Sequence, residues 1–98
     1  MNKVFCVMRD WKTNSGDSGI SNSTFSTFEK AFQYYNKLKE LCSIDYDTEE
    51  RINNNEISIT EVINKELQYA SIEAVFKDRN DYYKIWISKE KIDSENWR

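Results

Sequence analysis

Apolar residues recur every three or four positions between residues 26 and 42, which is the period of an α-helix. Polar and charged side chains occupy the opposite side of this helix. Ser26, with Glu29 three residues later, has the spacing of a capping box, in which a hydroxyl and a carboxylate bind free backbone N–H groups at the helix start. The pattern predicts an amphipathic helix over residues 26 to 42 whose apolar stripe packs on a sheet. The stripe consists of Phe28, Ala31, Phe32, Tyr35, Leu38, Leu41 and Cys42.

Alternating patterns before and after this helix predict strands. Residues 3 to 10 alternate with apolar side chains on both sides, as in a central strand, and residues 20 to 25 indicate a short second strand. Residues 69 to 77 and 82 to 88 alternate across a polar turn and predict a hairpin. Opposing Lys77 with Tyr82 collects the apolar side chains on one face, and this fixes the predicted register.

Residues 58 to 67 are ambiguous between a helix and a strand. Ser58 and Glu61 repeat the capping-box spacing, and an apolar stripe follows at helical spacing, whereas the alternation at the start of the segment favours a strand. We choose the helix. The predicted fold is therefore α+β: an antiparallel sheet of three to four strands, one long amphipathic helix (about residues 26 to 42) and a shorter second helix (about residues 58 to 67).

The length of 98 residues suits one small globular domain, residues 1 to 98. No apolar run approaches the roughly 18 residues of a membrane span, and the first residues lead into a strand-like segment rather than a signal-peptide core. We therefore expect a cytoplasmic protein. Cys6 and Cys42 are too far apart for a Cys-x-x-Cys motif, so we expect free thiols in a reducing compartment.

Histidine is absent from the sequence, and this excludes catalytic classes built on a histidine dyad or triad. We expect no enzyme and no cofactor, with carboxylate or thiol chemistry as the remaining catalytic alternative. Asp45, Asp47 and Glu49 alternate as the oxygen ligands of a calcium loop do, but Glu50 stands where the turn glycine belongs. We therefore expect a solvated acidic loop and no metal site.

Negative charge is concentrated in the middle of the chain. Residues 40 to 66 contain eight acidic and two basic residues, a net charge of −6, whereas the whole chain carries −3. Such a surface can occupy the basic groove of a nucleic-acid-binding protein because it presents charge where phosphates lie. The alternative is an ordinary solvated face. The candidate binding residues of this acidic segment are Asp45, Tyr46, Asp47, Glu49, Glu50 and Glu56.

The outward face of the predicted hairpin carries a second candidate site, formed by Tyr82 and Trp86. Aromatic residues on a sheet can stack on the bases of single-stranded nucleic acid. The acidic composition and the lack of a basic stripe beside these residues oppose that interpretation. A partner protein suits them better, since Trp and Tyr are over-represented at interface centres. A third alternative is that another part of the chain covers this face.

The segments Lys3-Val4-Phe5-Cys6-Val7 and Phe25-Ser26-Thr27-Phe28-Glu29-Lys30-Ala31, separated by a polar loop, resemble the start of small phage and mobile-element proteins of unassigned function. The resemblance covers about residues 3 to 45 and implies a host-directed or competition role. It transfers no catalytic or binding residue.

The sequence as a whole predicts a non-enzymatic protein-binding module, in the form of a phage or mobile-element inhibitor that engages a basic, nucleic-acid-binding protein through the acidic segment. One alternative is a single-stranded nucleic-acid-binding module that uses the aromatic sheet face. Another is a structural or oligomerisation domain in which a free hairpin edge pairs with a second copy. Direct nucleic-acid binding is the less favoured alternative, and no membrane association is expected.

Overall fold

A computed structural model describes residues 2–12, 16, 18–45, 48–77 and 81–92. These residues form an α+β fold with five strands and two helices. The elements in chain order are β1 (Asn2–Lys12), β2 (Ser18–Phe25), α1 (Phe28–Asp45), α2 (Thr48–Asn53), β3 (Ile57–Asn64), β4 (Tyr69–Phe76) and β5 (Tyr82–Ile92).

The five strands make one antiparallel sheet in the order β2-β1-β5-β4-β3. β5 is the central strand, and it pairs with β1 along the whole of β1, from Asn2 opposite Ile92 to Lys12 opposite Tyr82. β2 and β3 are the two edge strands. Since β1 and β5 are flanked on both sides, the apolar alternation of β1 belongs to the interior of the sheet.

The hydrophobic core lies between one face of the sheet and α1. Helix residues at spacings of three and four point into it, and Tyr35 and Cys42 are fully buried. Phe28, Phe32 and Tyr35 stack in sequence along the helix, with ring centroids 5.5 and 5.8 Å apart. The buried core residues are Phe5, Val7, Phe28, Ala31, Tyr35, Leu38, Cys42, Ile57, Ala70, Ile72, Ala74, Phe76, Tyr83, Ile85 and Ile87.

The N-cap of α1 is Thr27, one residue later than the Ser26 that the capping-box spacing indicates. The Thr27 Oγ1 accepts a hydrogen bond from the Lys30 N–H at 3.3 Å, and the Thr27 carbonyl accepts one from the Ala31 N–H at 3.2 Å. The helix runs to Asp45, three residues beyond the predicted end. Neither cysteine forms a disulfide; Cys42 is buried and Cys6 is half-buried.

The predicted second helix over residues 58 to 67 is wrong, and so is the predicted count of three to four strands. Residues 57 to 64 form β3, which pairs with β4 from Ile57 opposite Phe76 to Asn64 opposite Tyr69. Ile59, Thr60 and Val62 are β-branched and pack well on a pleated surface, so an available neighbouring strand overrides the helical spacing. The second helix of the described chain is the short α2 instead.

The predicted register of the β4–β5 hairpin is also wrong, by two residues. Ala74 lies opposite Tyr83, and Ile72 lies opposite Ile85. The Phe76 N–H donates to the Asp81 carbonyl at 3.1 Å, while the Lys77 N–H donates to the Glu56 carbonyl at 2.8 Å. Lys77 therefore continues the β3–β4 pairing and is not available to β5. A shift of two residues keeps every side chain on its predicted face.

Candidate functional site

The sheet has a second face, on the side opposite α1, that we call the open face. Side chains on β4 and β5 alternate strictly between buried positions beneath α1 and half-buried or exposed positions on this side. No element among the described residues covers the open face. The side chains considered below are those of Met8, Asp10, Val62, Glu73, Val75, Tyr82, Lys84 and Trp86.

Trp86 lies at the centre of the open face because β5 is the central strand. The register places Trp86 opposite Met8 of β1 on one side and Ser71 of β4 on the other, and Ser71 lies opposite Val62 of β3. Trp86 and Met8 are half-buried, and Val62 is 50% exposed. These side chains form a row across four strands with a mainly apolar surface. A large ring at the middle of such a row offers apolar area that water still contacts.

A row of alternating charges runs beside the apolar row. Lys84 of β5 lies opposite Asp10 of β1 and opposite Glu73 of β4, so one cation stands between two carboxylates. The Lys84 Nζ also lies 5.0 Å from the centroid of the Trp86 ring, within the range of a cation–π contact. Lys84 thus links the charged row to the Trp86 ring.

Tyr82 lies on the open face two residues before Lys84. Its hydroxyl donates a hydrogen bond to Asp10 Oδ1 at 3.4 Å. Burial, the negative charge of Asp10 and this hydrogen bond raise the pKa of Tyr82 above its ordinary value of 10.0. Val75 lies opposite Tyr82 on β4 and is 44% exposed. Tyr82 and Trp86 therefore share one surface, as the outward hairpin face predicts.

The acidic candidate residues lie elsewhere. Asp45 is the last residue of α1, Glu49 and Glu50 belong to α2, and Tyr46 and Asp47 lie outside the described residues. Glu50 is exposed, whereas Glu56 forms an ion pair with Arg51 at 3.7 Å. The Arg51 guanidinium lies 5.1 Å from the ring of Phe76, a core residue beneath α1. The acidic segment around α2 is therefore on the helix side of the sheet, and the structure does not bring it together with Trp86.

Glu61 is a residue of the acidic segment whose charge is compensated. Its Oε2 accepts hydrogen bonds from the Tyr35 hydroxyl at 2.8 Å and from Lys39 Nζ at 2.5 Å. Burial by itself raises the pKa of Glu61, but the hydrogen bonds from Lys39 and Tyr35 outweigh it and hold this pKa below its ordinary value. Glu56 and Glu61 are thus both paired with basic residues, which reduces the free negative charge of the segment.

A cleft of about 320 Å³ lies beside the first turns of α1. The rings of Phe28 and Phe32 contribute its apolar wall, and Lys65 Nζ lies 5.5 Å from the Phe32 centroid. Among the described residues there is no group of three or more His, Cys, Asp or Glu side chains arranged to hold a metal ion. Within the same residues, no helix is long and apolar enough to cross a membrane. Glu29 and Lys65 add a carboxylate and an amine to the lining of the cleft.

No protein-family model, curated protein or solved structure matches the chain. The function therefore has to be inferred from the surfaces of the protein itself. Sequence patterns indicated Tyr82 and Trp86, but they did not indicate Met8 or Val62 as part of the same surface. The alternation of residues 3 to 10 and 57 to 64 places Met8 and Val62 on outward positions, but only the strand order shows that they share a surface with Trp86.

Proposed function

We propose that this protein is a non-enzymatic protein-binding module that contacts its partner through the open face, with Trp86 at the centre. The observation that supports this proposal most directly is the row of Met8, Trp86 and Val62, which no described element covers. Trp is enriched at the centres of protein interfaces because its ring buries a large area with little conformational freedom to lose.

The charges of the open face define the chemistry of the partner. A complementary protein surface has an apolar patch opposite Trp86, flanked by charges of both signs that match Asp10, Lys84 and Glu73. Trp86 lies on the central strand of a five-stranded sheet, so the backbone that carries it is held in place before binding and loses little entropy on association. The resemblance over residues 3 to 45 favours an inhibitor of a host protein as the biological form of this function.

Charge balance argues against single-stranded nucleic acid as the ligand of the open face. Nucleic-acid affinity depends on basic side chains that replace counterions along the phosphate backbone. The open face contributes two lysines and three carboxylates, so it attracts no phosphate chain. These residues are Lys12, Lys84, Asp10, Glu73 and Glu90.

The acidic segment is a second candidate surface, suited to a basic partner. Glu50 on α2 is exposed to solvent, and residues 40 to 66 carry a net charge of −6. Because α2 and Trp86 lie on opposite sides of the sheet, the two candidate surfaces can be tested separately. Glu50→Lys is expected to weaken binding to a basic partner and to leave binding through the open face unchanged.

The test compares the tagged wild-type protein with Trp86→Ala and with Leu41→Ala in pull-downs from the source cells, read by mass spectrometry. Leu41 is 44% exposed on α1 and is the matched control for loss of an exposed apolar side chain on the helix side. A protein that the wild type and Leu41→Ala recover, and that Trp86→Ala loses by tenfold or more, supports the proposal. Thermal unfolding of each variant establishes that the fold is retained.

A fluorescent single-stranded oligonucleotide at low salt is the counter-test. No binding is expected. Binding that Trp86→Ala abolishes would assign the open face to nucleic acid instead. Recovery of the same proteins by the wild type and by Trp86→Ala would remove the open face as the contact surface.

A further inference from the structure

Exposed apolar side chains are concentrated on the β3–β4 hairpin. Nine large hydrophobic side chains among the described residues are exposed, and six of them belong to this hairpin. Leu67, in the turn that joins the two strands, is 69% exposed. The six residues are Ile59, Val62, Ile63, Leu67, Tyr69 and Val75.

The exposed side chains of β3 lie on both faces of the sheet. Ile59 and Ile63 are on the helix side together with Glu61, which reaches Tyr35, whereas Val62 is on the open face. A partner that packs on one face leaves the other face exposed. A strand that continues the sheet beyond β3 places side chains against both faces at once, because successive side chains point to opposite faces.

The backbone of β3 offers the hydrogen bonds that such an element needs. Within the described residues, β3 pairs on one side only, with β4. The Glu56 carbonyl accepts from the Lys77 N–H on the β4 side. By the alternation of an antiparallel ladder, the N–H and C=O groups of Ile59, Glu61 and Ile63 point to the free edge.

β3 also has few of the features that protect an edge strand from pairing. Residues 57 to 64 contain no proline and no lysine, and their pairing with β4 continues without a bulge. The single charge on the strand, that of Glu61, is compensated by Lys39 at 2.5 Å. The strand is therefore a long edge that favours pairing.

The sequence of β3 is symmetric in chemical type about Glu61. Ile59 and Ile63 are equidistant from it, as are the β-branched Thr60 and Val62 and the polar Ser58 and Asn64. An antiparallel strand of the same sequence, centred on Glu61, therefore places residues of similar shape opposite each other from Ser58 to Asn64, with Glu61 opposite Glu61. Two different strands have no such relation to each other.

We propose that β3 pairs with β3 of a second copy of this chain in an antiparallel arrangement centred on Glu61. In this pairing Ile59 lies opposite Ile63 of the second copy on the helix side, and Thr60 lies opposite Val62 on the open face. The two Glu61 carboxylates meet at the two-fold axis, where each is already paired with Lys39 and Tyr35 of its own copy. The two sheets join into one ten-stranded sheet. The dimer shares Val62 with the open face but leaves Trp86 outside the β3 edge, so Trp86→Ala, which tests partner binding, is expected to dimerise as the wild type does.

The first test is sedimentation equilibrium of the purified protein over a wide range of concentrations. A reversible monomer–dimer equilibrium is expected for the wild type. Ile63→Pro removes an N–H that points to the free edge and leaves the β3–β4 bonds in place, so it is expected to weaken the dimer at least tenfold. Val62→Lys is the second variant, since a lysine on an edge strand opposes pairing.

The matched control is Ile20→Lys on the opposite edge strand, β2, where Ile20 is 69% exposed. This variant is expected to dimerise as the wild type does. A wild-type protein that stays monomeric at every concentration would overturn the proposal. A dimer that Ile20→Lys disrupts, and that both β3 variants retain, would overturn it as well.

Disulfide cross-linking tests the register. The proposed pairing places Thr60 opposite Val62 of the second copy in a non-hydrogen-bonded pair, where Cα atoms are about 4.5 Å apart, within the range that a disulfide spans. In a Cys6→Ser background, Thr60→Cys and Val62→Cys are expected to cross-link when they are mixed and to remain uncross-linked when alone. Cross-linking of Thr60→Cys with itself would contradict the Glu61-centred register.

Discussion

The Tyr35 hydroxyl donates a hydrogen bond to Glu61 Oε2 at 2.8 Å, and this bond ties the buried side of α1 to the edge strand β3. Tyr35 is fully buried, while the side chain of Glu61 is 30% exposed. Lys39, one turn further along α1, binds the same carboxylate oxygen. α1 packs mainly across β5, β1 and β2, so these bonds supply a polar connection between the helix and the opposite edge of the sheet.

Glu61→Ala is expected to destabilise the fold by about 1–3 kcal/mol, because it leaves the buried Tyr35 hydroxyl without its acceptor. Tyr35→Phe removes that donor and leaves Glu61 paired with Lys39, so its expected cost is smaller, about 0.5–1.5 kcal/mol. Urea unfolding of both variants and of the double variant measures the coupling between the two side chains. A cost for Tyr35→Phe that equals or exceeds that for Glu61→Ala would contradict this account.

Stability at alkaline pH is expected to depend on Tyr35. Burial, the hydrogen bond to Glu61 and the charge of Glu61 raise the pKa of Tyr35 above its ordinary value of 10.0. The unfolded chain therefore releases this proton first. The contribution of Tyr35 to stability is complete below pH 10 and is lost as the pH rises toward the pKa in the folded state.

The measurement is the free energy of unfolding between about pH 9 and 11, for the wild type and for Tyr35→Phe. The wild type is expected to lose stability more steeply than the variant. Absorbance of tyrosinate provides a second readout, since Tyr35 is expected to ionise only when the protein unfolds. Parallel pH profiles for the two proteins would show that Tyr35 is not responsible.

Gln68→Gly is expected to stabilise the protein by up to about 1 kcal/mol, because Gln68 has a left-handed backbone conformation with φ of 56°. Glycine adopts this conformation without a Cβ clash. Asn55, with φ of 60°, is the comparison, since asparagine tolerates the left-handed region and Asn55→Gly is expected to change stability less. Thermal unfolding of both variants measures the difference, and a destabilised Gln68→Gly would be the contrary result.

Gly19→Ala is expected to destabilise the β1–β2 ribbon by about 1–3 kcal/mol. A Cβ at position 19 lies 2.6 Å from Cζ2 of Trp11, and the Arg9 guanidinium, 4.6 Å from the Trp11 ring, packs on the same ring. In a Trp11→Ala background the same substitution is expected to cost little, since the ring is gone. Chemical unfolding of the wild type, the two single variants and the double variant tests whether the Trp11 ring causes the loss. If Gly19→Ala costs as much stability in the Trp11→Ala background as in the wild type, the ring is not the cause.

The spacing of apolar residues along the chain predicts those helices and strands that bury only one of their faces. α1 buries most of its apolar stripe, and β4 and β5 bury every second side chain from Ala70 to Phe76 and from Tyr83 to Ile87, so their spacing is visible in the sequence. β3 is different, because Ile59, Val62 and Ile63 remain exposed at an edge and no single face identifies a strand. A helical spacing of the same residues fits the sequence equally well, and the pairing with β4 decides between them.

The hairpin register and the neighbours of Trp86 depend on pairing between distant strands, so the sequence alone did not predict them. Two hairpin registers that differ by two residues place the same side chains on the same faces, so alternation cannot distinguish them. The hydrogen bond from Lys77 to Glu56, on a third strand, selects the observed register. Trp86 was predictable as an outward residue of a hairpin. Its neighbour Met8 is 78 positions away along the chain, and no local pattern joins them.

The order in which the strands are synthesised differs from their order in the sheet, and this affects folding. β5, the centre of the sheet, leaves the ribosome after the other four strands, and it is the strand that connects the β1–β2 ribbon to the β3–β4 hairpin. Until Tyr82–Ile92 has emerged, the nascent chain consists of two separate ribbons and a helix whose apolar stripe has no complete sheet beneath it. Such distant pairing slows folding and leaves apolar surface exposed during synthesis, so we expect chaperone contact to be concentrated in that interval.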